Sequence, residues 1–212
     1  MLTLDSLEIR LGPQRRLQPP DWSLPAGATA LLVGPSGSGK STLLNVAAGL
    51  LAPAAGRVLV DGVDIAALKP AARDRFRGAR IGVVFQSLRL VQALSVADNL
   101  ALALALAGRK PDPARIRDTL ARLGLAALAR RRPRALSIGE MQRAAIARAV
   151  IARPTLILAD EPTSALDDAN AEAAFALLRA EAQACGASLL IATHDARLTA
   201  HGLPTLTLAG PP

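Results

Sequence analysis

The octapeptide Gly34-Pro35-Ser36-Gly37-Ser38-Gly39-Lys40-Ser41 constrains this chain more than any other segment. It fits G-x-x-x-x-G-K-[ST] in full, and its flanks are the ones that motif needs: an apolar run over 28–33 stops at Gly34, and 39–50 reads as a helix. Glycines let the backbone curl so that successive N–H groups point inward, and the helix start adds its positive partial charge. Such a loop suits the crowded negative charge of phosphates. Lys40 is expected at the β- and γ-phosphates, the Ser41 hydroxyl on Mg²⁺, and Thr42 at the loop's helical end.

The rest of the pattern agrees with that unit. Strands are expected at 2–11, 57–60, 81–85, 155–160 and 188–193, with a short one at 205–208. Helices are expected at 96–107, 113–123, 140–152 and 169–184. Residues 12–20 carry Pro13, Pro19 and Pro20 and read as a turn region. Strands alternating with helices imply an α/β fold with a mostly parallel sheet covered by helices, interrupted by a helical insert at about 90–145. A chain of 212 residues suits one such unit, 1–212, with 1–90 and 146–212 as its core and about 91–145 as a helical subdomain.

Composition narrows the function classes. Hydrophobic residues make up 51%, which excludes a mostly disordered chain. Three Phe, one Trp and no Tyr mean that the core is built from Leu, Val, Ile and Ala, and that stacking on a protein ring is scarce. The net charge is +8, and every basic residue but Lys40, Lys69 and Lys110 is Arg. The Arg clusters at 73–80 and 130–134 are short and interrupted, and no nucleic-acid motif accompanies them. The excess reads as GC-rich coding bias, and no nucleic-acid partner is expected. Cys185 stands without a second cysteine, so no internal disulfide is expected, which suits a reducing compartment. No basic-then-apolar leader and no run of about 18 apolar residues is present, so a membrane role is expected only through a partner.

Two further segments carry chemistry. Leu156-Ile157-Leu158-Ala159-Asp160 is a buried strand with an acid at its C-terminal end, where open α/β sheets bind ligands, and Glu161 follows. Asp160 is expected to hold Mg²⁺, directly or through water, and Glu161 to polarise an attacking water. Leu136-Ser137-Ile138-Gly139-Glu140 opens an amphipathic helix. Its Ser and backbone N–H groups make either a second anion site or an ordinary N-cap, and the pattern leaves both open.

With these residues in order, the chain closely resembles the nucleotide-binding subunit of ATP-binding cassette (ABC) transporters over essentially its whole length. Residues 34–42 match the phosphate loop and Gln86 the glutamine after the strand at 81–85. Residues 136–140 match the signature, and Asp160 and Glu161 the second Walker motif. Ser164-Ala165-Leu166-Asp167 matches the D-loop, and Thr193-His194-Asp195 the switch histidine. The resemblance implies a P-loop ATPase of ABC type, with an antiparallel β part at the N-terminus and an inserted helical subdomain. Glu161, His194 and Gln86 are then catalytic. Gly34, Pro35, Ser36, Gly37, Ser38, Gly39, Lys40, Ser41 and Thr42 bind ATP, as do Ser137, Gly139 and Glu140 from the opposite subunit. Ser41, Gln86 and Asp160 hold Mg²⁺, and Asp167 contacts the second subunit. Two ATPs sandwiched in a head-to-tail homodimer would drive a transmembrane permease, with the chain on the cytoplasmic face of the membrane. Residues 85–88, 97–100 and 159–163 look most like the lipoprotein-releasing and macrolide-exporter class, whose permeases have few membrane helices and a large external domain. The alternative is a regulatory ATPase docking on a membrane protein without transport, as in cell division.

Two departures from that family stand out. Ile138 occupies a position usually glycine, and Glu140 one commonly glutamine. The family also stacks adenine on an aromatic residue after the first strand, a place that falls near Arg10 and Leu11 here. Trp22 is expected in the core, which leaves Arg10, Arg15 or Arg16 to lay a guanidinium on the base.

Overall fold

The computed structural model describes residues 1–12, 15–164 and 166–210. Along β1 (Leu2–Arg10) the buried residues Leu2 and Leu4 alternate with half-buried ones, and the alternation resumes at Leu7 and Ile9 after a shift. The shift is a bulge between Asp5 and Glu8, with Ser6 at φ 49. Gly56 sits against it at φ +84, and a Cβ there would collide with Ser6 O, so only glycine fits. β1 pairs antiparallel with β2 (Arg16–Leu17), β3 (Trp22–Leu24) and β5 (Ala55–Val60), and β5 with β6 (Val63–Asp64).

The second sheet is parallel throughout. Its order is β10 (Thr205–Thr207), β4 (Thr29–Val33), β9 (Ser188–Thr193), β8 (Leu156–Asp160), β7 (Ile81–Val84). Successive side chains on each central strand enter opposite cores. Leu31, Ile157 and Ile191 join one apolar cluster; Leu32, Leu158 and Leu190 join the other. Both faces are therefore covered, which is why these strands read as continuous apolar runs. At roughly 1.5–3 kcal/mol for each fully buried Leu or Ile, the two faces dominate the stability of the fold.

One face is closed by α1 (Lys40–Ala47) and the antiparallel sheet, with Trp22 packed on that cluster as expected. The other is closed by α3 (Val96–Leu106), α4 (Pro113–Arg122), α5 (Ile138–Val150) and α6 (Asp168–Cys185). Between β7 and β8 the chain forms only helices and turns, and its Leu100, Leu104 and Leu120 share one cluster with the sheet's Ile157 and Ile191. Phe175 is the largest fully buried side chain, and aliphatic residues fill most of the remaining core.

Several element ends differ from the sequence reading. α1 stops at Ala47 because the chain turns at Gly49, φ +66, leaving Leu50 and Leu51 exposed. α2 (Pro70–Arg80) was not anticipated by apolar periodicity, since it has no fully buried residue. Its signals are Pro70 in the first turn and Arg77 and Arg80 in the last. α5 begins two residues earlier than expected, at Ile138, because Ser137 caps it. A short α7 (Ala196–Thr199) follows β9.

Candidate functional site

The C-terminal ends of β4, β8, β9 and β7 lie side by side, and the residues that follow them are Gly34, Glu161, His194 and Phe85-Gln86. Parallel pairing alone therefore gathers residues far apart in the chain. They surround a cleft of about 540 Å³ lined by Arg10, Leu11, Arg15, residues 36–42, Gln86, Glu161 and His194.

The loop from Gly34 to Gly39 wraps the Lys40 side chain. Lys40 is buried, and its Nζ donates to Gly34 O at 2.8 Å and Pro35 O at 3.3 Å. Gly34 leaves no space for a Cβ, which would lie 2.7 Å from Ser38 Oγ and 2.8 Å from Leu208 O. Gly39, at φ 100, stands at the N-cap of α1 without a side-chain cap, so the first N–H groups of that helix keep no side-chain acceptor. Ser38 Oγ is buried and has no partner among the described residues.

The acidic wall is equally organised. Ser41 Oγ donates to Asp160 Oδ1 at 3.0 Å. Burial and the neighbouring Glu161 charge push the Asp160 carboxyl above its ordinary value, and the Ser41 hydrogen bond and Lys40 partly offset this. Glu161 is only 8% exposed and adopts φ 47, a conformation that costs a non-glycine residue about 1–2 kcal/mol. Its N–H donates to Ala192 O at 2.9 Å, and its carbonyl accepts from Ser164 Oγ at 3.1 Å, which hold it there. Glu161 Oε1 lies 3.5 Å from Lys40 Nζ and 2.7 Å from His194 Nδ1. Two adjacent carboxylates facing one lysine leave an excess of negative charge. Ser41 Oγ, Asp160 and the amide oxygen of Gln86 are hard oxygen donors of the kind that suit Mg²⁺. Among the described residues no three His, Cys, Asp or Glu side chains converge on one metal position.

Ser137, Gly139, Glu140 and Asp167 do not line this cleft. Ser137 N donates to Glu140 Oε2 at 2.7 Å, and Glu140 N to Ser137 Oγ at 3.3 Å, a complete capping box. The Ser137 N–H holds the Glu140 carboxyl below its ordinary value. The N-cap reading is therefore realised within the chain. A Cβ on Gly139 would meet nothing nearer than Arg143 Nη1 at 3.8 Å, so the chain's own packing does not require glycine there. Ile138 is 53% exposed beside it. Asp167 caps α6, accepting from Asn170 N at 2.9 Å and Asn170 Nδ2 at 2.7 Å. Of the expected D-loop, Ala165 lies outside the described residues.

Arg10 and Arg15 also line the cleft wall, and Leu11 N donates to Arg15 O at 2.9 Å. Arg16 is instead paired with Glu8 at 2.7 Å. The sequence reading missed Arg197, which binds Asp195 beside His194; nothing in its spacing marks it. Cys185 is half-buried, and burial pushes its thiol up, in keeping with an unreactive side chain.

The family model described as "ABC transporter" matches residues 17–164. The lipoprotein-releasing system ATP-binding protein LolD of Anaeromyxobacter dehalogenans is 48% identical over 181 residues, 84% of this chain and 76% of that one. The ABC transporter ATP-binding protein YtrE of Bacillus subtilis is 38% identical over 182 residues, 85% and 79% of the two chains. Among solved structures, the cassette MJ0796 matches in a dimeric form with TM-score 0.86 and 30% identity, covering 99% of this chain and 94% of that one. A dimeric post-hydrolysis state of the same cassette, bound to ADP and phosphate, matches with TM-score 0.82 and 32% identity, covering 92% and 88%.

Proposed function

The chain belongs to the ABC transporter family as an ATP-binding, ATP-hydrolysing subunit, and from that premise we propose that two copies close on two ATP–Mg²⁺ to drive a transmembrane permease of the extracting or exporting kind. The observation that carries this reading is the meeting of Lys40 and His194 within 3.5 Å of the Glu161 carboxylate in a phosphate-loop cleft.

ATP enters with its phosphates on the loop 34–42, whose N–H groups and the capless start of α1 donate to phosphate oxygens. Lys40 exchanges its carbonyl partners and Glu161 for the β- and γ-phosphates. Glu161, released from the lysine, accepts a proton from the attacking water as its oxygen bonds the γ-phosphorus and the bridging bond to ADP breaks. His194 donates to the γ-phosphate and holds Glu161 in register. Ser41, Asp160 and Gln86 would hold Mg²⁺, which supplies charge neutralisation at the phosphates when bound. Ser137, Gly139 and Glu140 reach the γ-phosphate on the opposite subunit, and Asp167 meets that subunit. In this reading the permease has few helices and a large external domain, residues 91–145 form the helical subdomain, and the chain sits peripherally on the cytoplasmic face; the relative named for lipoprotein release supports the extracting kind.

Glu161→Gln tests this. That variant is expected to bind ATP, lose hydrolysis by at least about 100-fold, and elute as a dimer only with ATP; a variant that stays monomeric and turns over at the wild-type rate refutes the reading. As a control, Lys40→Ala is expected to lose ATP binding.

A further inference from the structure

The segment that carries His194 is tied to the start of α6 by side chains the phosphate cleft does not use. Thr163, fully buried two residues after Glu161, donates from Oγ1 to Asp195 Oδ2 at 2.8 Å. Asp195 N donates to Thr193 Oγ1 at 3.0 Å. Arg197 clasps the same carboxylate: Nε lies 2.9 Å from Oδ1, and Nη2 lies 2.7 Å from Oδ2. On its other side, Arg197 Nη1 donates to Asp168 Oδ1 at 2.6 Å. Asp168 is the first residue of α6 and follows Asp167. A second strut joins the same elements, His201 Nε2 to Glu172 Oε2 at 3.2 Å.

Stability does not account for the outer arm of this arrangement, from Arg197 to Asp168. The Asp168 side chain is 94% exposed, and an ion pair in that setting contributes little. Its geometry is specific, however. One planar guanidinium bridges two carboxylates on two segments, which a lysine ammonium cannot do in the same way. The segments are the one after β9, holding His194, and the one after β8, running from Glu161 to Asp167.

We propose that Arg197 is a positioning residue that couples His194 in the cleft to the subunit contact at Asp167 by holding Asp195 and Asp168 together. A γ-phosphate drawing on His194 then shifts the start of α6, and a second subunit engaging Asp167 shifts His194 in return. This rests on the ATP-dependent dimer proposed above.

The test uses the full chain with Arg197→Ala, Arg197→Lys, Asp168→Ala and the double variant Arg197→Ala/Asp168→Ala. ATP Kd is expected to stay within about twofold, because none of these side chains lines the cleft, while kcat falls about tenfold in Arg197→Ala and about threefold in Asp168→Ala. Arg197→Lys is expected to keep the pairing to Asp195 yet match Asp168→Ala in rate. The double variant is expected to be no slower than Arg197→Ala, because both changes break one link. In a Glu161→Gln background, Asp168→Ala is expected to weaken ATP-dependent dimerisation about threefold or more. Asp168 is exposed, so its variant folds even if Arg197→Ala does not. Asp168→Ala with unchanged kcat and dimer affinity, or full additivity in the double variant, overturns the proposal. If Glu161→Gln binds ATP without dimerising, the parent reading fails and this one with it; if that dimer forms normally and Asp168→Ala leaves it unchanged, only the coupling fails.

Discussion

Glu161 Oε1 stands 2.7 Å from His194 Nδ1, so the residue after β8 and the residue after β9 share a contact across one strand boundary. The Glu161 backbone is held separately, through Ala192 and Ser164. Removing the imidazole therefore leaves the acid in place but lets its carboxylate swing toward Lys40. His194→Ala is expected to lower kcat by about 100-fold or more while ATP affinity changes only a few-fold, measured by single-turnover hydrolysis beside equilibrium binding.

Base selectivity is expected to be weak. Where the base of the proposed nucleotide would lie, the described residues of the cleft wall offer the guanidiniums of Arg10 and Arg15 and no Phe or Trp ring. A guanidinium plane attracts any purine face, by about 0.5–2 kcal/mol, and reads no exocyclic group by stacking. ATP and GTP are therefore expected to be hydrolysed with kcat/KM within about tenfold, roughly 1.4 kcal/mol. A competition assay with the two nucleotides checks this; a far larger preference for ATP would mean another group reads the base.

Asp160 carries a cost in the nucleotide-free protein. Its carboxyl is held above its ordinary value by burial first and by Glu161 second. A raised carboxyl favours the folded state when protonated, so the charge costs stability above its ordinary range, including at neutral pH. Asp160→Asn is expected to raise Tm by roughly 1–3 °C, a modest shift because the group is only half-buried and solvent screens it, while hydrolysis is lost. Calorimetry at pH 7 without nucleotide reads the first outcome.

Asp195 behaves in the opposite sense. Arg197 chiefly, with Thr163, lowers its carboxyl from 3.8 to about 2. A lowered carboxyl adds stability above its unfolded value and loses it as the pH falls through the folded one. The acid limb of a stability profile is therefore expected to steepen between pH 3.8 and about 2. Asp195→Asn is expected to flatten that part of the limb, as followed by thermal melts across the acid range.

The parallel sheet was legible because strands buried on both faces are continuous apolar runs, and 156–159 and 189–192 are such runs. The cleft was legible because a phosphate loop and a strand-end acid announce themselves by residue type. α2 escaped because it packs Phe76 only in part and fully buries nothing, so it has no apolar stripe to count. The Arg197 bridge escaped for a different reason. Its two partners, Asp195 and Asp168, lie on two segments that only the pairing of β8 and β9 brings together, and an arginine near aspartates is common in so Arg-rich a chain.

The capping box at Ser137 and Glu140 has a consequence for closure. Under the proposed dimer, the γ-phosphate of the opposite subunit approaches a helix start where the chain's own carboxylate already accepts the Ser137 N–H. For the Ser137 N–H the incoming anion competes with a resident one of the same sign. Glu140 then acts as a tethered competitor, and weaker anions such as free phosphate fail to displace it. A variant with a neutral side chain there would close more readily and discriminate less between a full triphosphate and the products left after its cleavage.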